Sequence, residues 1–261
     1  MNHSIPMEIQ NLLNLYVESL VSEFGDAIFG VYIYGSLASG CFDMETSDID
    51  FMTIIKKDLD EEEIKRIQSI HNKLIESSKY GKILEGEYVS LNDITNGMPK
   101  KQYPYFAFGK FQGFVKLKNF AWFQLSEKGI NYYGTEFNSI AGNIDWKDVK
   151  KELLERLNQY WPSVVNWRLI VSDKWIPLVV LSVCRVYYSL ENKSTISKVG
   201  GGEYALTKLP TEWHPLIHEA LRIHKKSQGK SLFKTRTERL KRVKEFVKFV
   251  SEATNSYYAY I

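Results

Sequence analysis

The stretch Val31–Phe51, VYIYGSLASGCFDMETSDIDF, constrains this chain more than any other. The apolar and aromatic run Ile28 to Tyr34 reads as a buried strand entering a turn at Gly35-Ser36. After an eleven-residue gap, Asp48-Ile-Asp50 opens a second apolar run that lasts to Ile55. Alternation along a strand puts Asp48 and Asp50 on one face. Two carboxylates side by side repel each other, and their natural partner is a divalent cation. Glycine lets the backbone come close to phosphate oxygens, and the Ser36 hydroxyl and the amides after it can donate hydrogen bonds to them. Hard oxygen ligands favour Mg²⁺, which in turn binds a triphosphate. Alone, Gly-Ser is a common turn and Asp-x-Asp a solvated pair. Joined at this spacing, each on an apolar strand, they point to a nucleotide site.

The flanking patterns supply the frame. Residues 6–24 carry Ile9, Leu12, Leu13, Tyr16, Val17, Leu20 and Val21 at helical spacing. Asp58 to Glu61 reads as a capping box for a helix with Ile64, Ile67, Ile70, Leu74 and Ile75 on one face. Leu84 to Leu91 reads as a third strand. Further on, Asp145 can cap a helix with Val149, Leu153, Leu154 and Leu157. Pro177 to Leu190 is a strongly apolar helix, and Thr211 and Phe233 open two more helical stretches. The expected fold is therefore an α/β N-terminal domain with a small mixed sheet, residues 1–142, and an all-α helical bundle, residues 143–261. The boundary is expected in the polar, glycine-containing segment 134–143.

A third carboxylate for the Asp48/Asp50 pair should come from a neighbouring strand. Glu85 and Glu87 share a face, and acids on the inner face of an apolar strand are costly unless paired or bound to metal. One of the two can take a proton from an acceptor hydroxyl. The other has the ordinary reading of a solvated strand-edge charge.

The Gly-Ser and Asp-x-Asp arrangement resembles the DNA polymerase beta-type nucleotidyltransferases. More narrowly, the chain resembles the aminoglycoside adenylyltransferases that modify streptomycin and spectinomycin. Leu84-Glu85 matches the family's Leu-Glu. The segment 119–134, NFAWFQLSEKGINYYG, is similar to a family segment ending in a glycine turn, and the run from Arg185 to Ala220 resembles its helical domain. The resemblance implies ATP as co-substrate and Mg²⁺ held by Asp48, Asp50 and Glu85. It selects Glu85 as the catalytic base, with phosphates over Gly35 and Ser36. It matches Lys198 to a lysine that reaches the triphosphate and Arg185 to an arginine on the preceding helix. It implies AMP transfer to a hydroxyl of an aminoglycoside or aminocyclitol, most like spectinomycin. Such acceptors are cations, and Glu85, Glu87 and Asp173 are the candidates for the local negative charge. Phe111 stands where the family places a substrate-packing tryptophan, and Gly200 to Gly202 stand where the family is helical.

Composition limits the alternatives. Net charge is only +3, although residues 222–248 hold eleven Lys/Arg against Glu238 and Glu245. Leu240, Val243, Val247 and Val250 give that run an apolar face, so a basic amphipathic helix is expected rather than a nucleic-acid surface. A nucleotidyltransferase acting on RNA or protein, and a non-catalytic nucleotide-binding relative, remain as alternatives. The intact Asp48, Asp50 and Glu85 argue against the second. His214 and His218 stand four apart without a third ligand in view, which favours surface or core histidines over a metal site. Two cysteines, Cys41 and Cys184, give no disulfide framework. With no leader pattern and no membrane-length apolar run, a cytoplasmic monomer is expected.

Overall fold

The computed structural model describes residues 5–94, 99–167 and 172–258. The chain divides into two compact units, Met1–Asp145 and Trp146–Ile261. In the first, helix α1 (Met7–Phe24) buries Ile9, Leu12, Leu13, Tyr16 and Leu20 as one stripe. Strand β1 (Ile28–Tyr34) leads into the short helix α2 (Gly35–Ala38) and then β2 (Ile49–Ile55). Helix α3 (Glu61–Ser77) connects to β3 (Leu84–Ser90), followed by β4 (Gln102–Ala107), β5 (Lys110–Lys116), helix α4 (Asn119–Lys128) and β6 (Ile130–Gly134). The six strands form one mixed sheet in the order β5-β4-β3-β2-β1-β6. Only β2 and β3 run parallel. A parallel pair needs a long crossover, and α3 supplies it.

The α3 cap differs from the sequence expectation by two residues. Asp60, not Asp58, is the N-cap. Its side chain accepts from the Glu63 amide at 2.8 Å, and Glu63 accepts from the Asp60 amide at 3.1 Å. Both acids start a D/E-x-x-E pattern, and the apolar phase beginning at Ile64 favours the later one.

Both faces of the central strands are covered. Val31, Ile33, Ile49, Phe51 and Phe106 pack with residues of α1 and α3 in one core. Tyr32, Tyr34, Met52, Ile54 and Val89 pack with Trp122 and Leu125 of α4 in the other. Double coverage explains why these strands read as near-continuous apolar runs. It also makes Asp50, Glu85 and Glu87, on the α4-side face, conspicuous.

The first core contains a buried polar chain. His71 Nε2 lies 2.9 Å from the Tyr88 hydroxyl, Tyr16 donates to Tyr88 at 2.9 Å, and Tyr16 lies 2.8 Å from Thr53 Oγ1. His71 also stacks on Phe106 with ring centroids 4.6 Å apart. Burial pushes the imidazole down to about 3. The unfolded chain therefore takes up this proton near pH 6.5, whereas the folded chain does so only near pH 3. Stability from this group is full above pH 6.5 and falls as pH drops toward 3, by up to about 1.4 kcal/mol per pH unit in the interval. Urea unfolding at pH 7 and pH 4.5 should show a shallower acid loss for His71→Gln than for the parent chain. An unchanged acid slope would mean that burial is not holding the imidazole neutral.

The β4–β5 hairpin has no sequence signature of the usual kind. Its two-residue turn is Phe108-Gly109, with φ of 55° and 71°. Positive φ at both positions is the geometry normally written Asn-Gly. Pro104 lacks an amide for the ladder, and β3–β4 pairing is confined to Gly86↔Phe106 and Glu87↔Tyr105.

The second unit is helical. It contains α5 (Trp146–Glu155), α6 (Trp175–Asn192), α7 (Lys198–Lys208), α8 (His214–His224) and α9 (Arg236–Tyr258). The last two begin three residues later than the sequence suggests. Thr211–Trp213 forms a 3₁₀ turn before α8, and α9 starts at Arg236 rather than Phe233. The three glycines are helical, contrary to the departure read from the sequence. Ser197 caps α7 by accepting from the Gly200 amide at 2.8 Å. A Cβ at Gly201 would lie 2.9 Å from the Arg185 backbone. Glycine there is a close-packing residue that lets the first turns of α7 lie against α6.

Most cations of the 222–248 run have acidic partners. Arg222 and Arg239 hold the fully buried Glu219, Lys225 meets Glu203, Arg242 meets Glu245, and Lys248 meets Glu252. Burial alone would raise the Glu219 carboxyl. Hydrogen bonds from Arg222, Ser231, the Leu232 amide and Arg239 outweigh it and lower the group to about 2. The run is thus a partnered helical surface rather than a uniform positive stripe. Among the described residues, no helix is long and apolar enough to cross a membrane.

Candidate active site

Local geometry brings the strand acids together. Tyr34, the last residue of β1, pairs with Asp50 of β2, and Asp50 pairs with Glu85 of β3. Asp50 and Glu85 therefore sit side by side on adjacent strands and share the α4-side face. Gly35 follows Tyr34 at φ +69°, and a Cβ there would lie 1.9 Å from Asp50 Oδ2. Only glycine lets the turn pass this carboxylate in that conformation. Ser36 Oγ donates to the Asp48 carbonyl at 3.5 Å, and the Cys41 amide donates to the Ser36 carbonyl at 2.9 Å. These contacts tie the turn to the strand that carries the acids. Asp48 is exposed just before β2, and Asp50 and Glu85 are half-buried.

Two tyrosines complete the group. Tyr105 of β4 donates from its hydroxyl to Glu85 Oε1. Tyr34 donates to Glu87 Oε2 at 3.4 Å. Burial raises the Tyr34 phenol well above its usual range, and the charges of Glu87, Asp50 and Glu85 add to the effect. Glu87 is only 6% exposed. Burial pushes its carboxyl up to about 7, against the pull of Lys118 and the Tyr34 hydrogen bond. Glu87 is therefore the more buried of the two acids on this face, with Tyr34 as its donor.

Of the other two residues expected at the acceptor, Phe111 belongs to the sheet unit and Asp173 to the helical unit. The Phe111 ring packs into the α1/α3 core, 5.5 Å from Phe106, on the sheet face opposite Asp50 and Glu85. Its amide donates to Gln68 Oε1 at 2.8 Å. The cause is strand alternation: one residue along β5, the side chain turns to the other face. In the helical unit, Asp173 is held by Arg239, with Arg236 at 4.0 Å. Arg185 lies on α6, and Lys198 is the first residue of the capped helix α7. Tyr34 and Tyr105 were missing from the sequence reading. Tyr34 was legible as the last strand residue before Gly35, but Tyr105 required recognition of β4.

Among the described residues, no three His, Cys, Asp or Glu side chains stand as a ready metal cage. Mg²⁺ does not require one. It is held by one or two carboxylates together with substrate phosphates and water. A pair of aspartates at a turn whose glycine has no Cβ to block Asp50 suits that requirement. The hard oxygen donors of Asp48, Asp50 and Glu85 fit this ion.

Residues 13–87 match the nucleotidyltransferase domain family. Residues 159–253 match the aminoglycoside adenylyltransferase C-terminal domain. The second match decides the matter, because it adds the helical unit to the nucleotidyl-transfer unit. Over these residues the chain is similar to the nucleotidyltransferase domain in its first unit and to the aminoglycoside adenylyltransferases in its second. It is a nucleotidyltransferase enzyme with aminoglycoside adenylyltransferase activity. No curated protein matches the adenylyltransferase in sequence. In fold it is similar to the spectinomycin adenyltransferase AAD(9) from Enterococcus faecialis, solved with ATP and spectinomycin. The TM-score is 0.73 at 15% identity, covering 94% of this chain and 98% of that one. An E. coli MS115-1 CdnC:HORMA-deltaN complex also aligns, at 11% identity over 97% of this chain and 85% of that one. Its TM-score of 0.26 carries no structural argument.

Proposed function

We propose that this adenylyltransferase moves AMP from MgATP onto a hydroxyl of an aminocyclitol antibiotic, spectinomycin in preference to streptomycin. One juxtaposition carries the chemistry: Gly35 packed on the Asp50 carboxylate, with Asp50 in register beside Glu85. Asp48, Asp50 and Glu85 hold Mg²⁺, which when bound neutralises triphosphate charge. The amides after Gly35 and the Ser36 hydroxyl receive phosphate oxygens. The acceptor hydroxyl gives its proton to Glu85 as its oxygen bonds to the α-phosphorus. The bond from the α-phosphorus to the bridging oxygen breaks, and pyrophosphate leaves with both electrons of that bond.

The acceptor preference has two supports. The structural neighbour at 15% identity was solved with spectinomycin. The acid preceding α6, Asp173, already has Arg239 as its partner, which leaves little free negative charge there to grip a larger polycation. Cells expressing the protein should therefore gain spectinomycin resistance more readily than streptomycin resistance. The reverse order would overturn the acceptor assignment and leave the transfer chemistry standing.

A further inference from the structure

The β4 register puts Tyr105 opposite Glu87, so its side chain leaves the sheet on the face that carries Glu85 and Glu87. From there its hydroxyl reaches across the strand pair to Glu85 Oε1. A phenol has one proton to donate, and this one is committed to that oxygen. A glutamate on a strand has three side-chain torsions, and an unanchored carboxylate would sample several positions. Tyrosine is stiff by comparison, with two torsions, and here it is rooted in a strand. Tyr105 itself is half-buried.

We propose that Tyr105 is the positioning residue for the general base: it fixes Glu85 Oε1 and leaves Oε2 to face the acceptor hydroxyl. This rests on the reading of Glu85 as the base. Proton abstraction demands hydrogen-bond reach, so loss of orientation lowers the rate of transfer rather than the affinity for either substrate. The bond also explains why Glu85 and Glu87, two apart on one face, differ in environment. Glu85 is held by a donor at the half-open end of the strand, and Glu87 is buried with Tyr34.

The test is Tyr105→Phe, alone and combined with Glu85→Gln, with kcat, both KM values and melting temperature measured. Product is followed by mass spectrometry over long incubations so that the slow Glu85→Gln background remains readable. Tyr105→Phe should lower kcat by about 10–100-fold, the usual effect of removing a group that orients a reacting side chain, and leave KM for ATP and drug within about twofold. In the Glu85→Gln background the same change should cost nothing further, because there is no base left to orient. An equal loss in both backgrounds, or a rise in both KM values with a lower melting temperature, would show a general structural role and overturn the proposal. Parent-like kcat in Tyr105→Phe beside an inactive Glu85→Gln would overturn it too, with the base assignment intact. Normal turnover in Glu85→Gln would remove the base assignment itself.

Discussion

Asp50→Asn should abolish adenylyl transfer while leaving the melting temperature within a few degrees of the parent, and Asp48→Asn should do the same. The size of the loss follows from charge. An amide cannot replace a carboxylate beside a hard divalent cation, and the charge stabilisation at stake is several kcal/mol, about 10³-fold or more in rate. The fold should tolerate the change because neither side chain is part of a core. Asp48 is exposed, and Asp50 is half-buried against Gly35. The carboxylates act as a unit, so the double variant should be little worse than either single one. Substantial turnover in either single variant contradicts the metal assignment. A large drop in melting temperature would instead mean that the pair serves the fold.

The second large effect separates two glutamates that strand periodicity cannot. Glu85→Gln should retain drug binding, keep MgATP binding through Asp48 and Asp50, and lose about 10²–10⁴-fold in turnover, the range for a positioned general base. Glu87→Gln should keep turnover within about tenfold, since a glutamine oxygen can still accept from Tyr34 and the buried position no longer has to host a charge. Steady-state kinetics on both purified variants, with melting curves to confirm folding, decide between them. A dead Glu87→Gln beside a normal Glu85→Gln would move the base one strand repeat inward.

The strands of this site were legible because the central strands are covered on both faces, which leaves apolar runs that a few acids interrupt. Asp50, Glu85 and Glu87 stand out in that way, and Asp48 lies just ahead of the second run. The β4–β5 hairpin did not, because Phe108 occupies a left-handed turn position and Pro104 interrupts a strand. Without β4 there was no means of finding Tyr105 or of seeing that Phe111 faces the opposite core. The different environments of Glu85 and Glu87 were also invisible, since they depend on which tyrosines lie across the register. The glycines 200–202 misled for a related reason. Helix propensity counts them as breakers, but packing of α7 on Arg185 of α6 outweighs the local cost.

The most direct measurement incubates the purified protein with MgATP and spectinomycin, then identifies both products by mass and phosphorus NMR. Transfer of AMP with release of pyrophosphate, lost in Asp50→Asn, is the predicted result. Release of ADP with a phosphorylated drug would contradict it, as would unmodified drug across a panel of aminoglycosides and aminocyclitols.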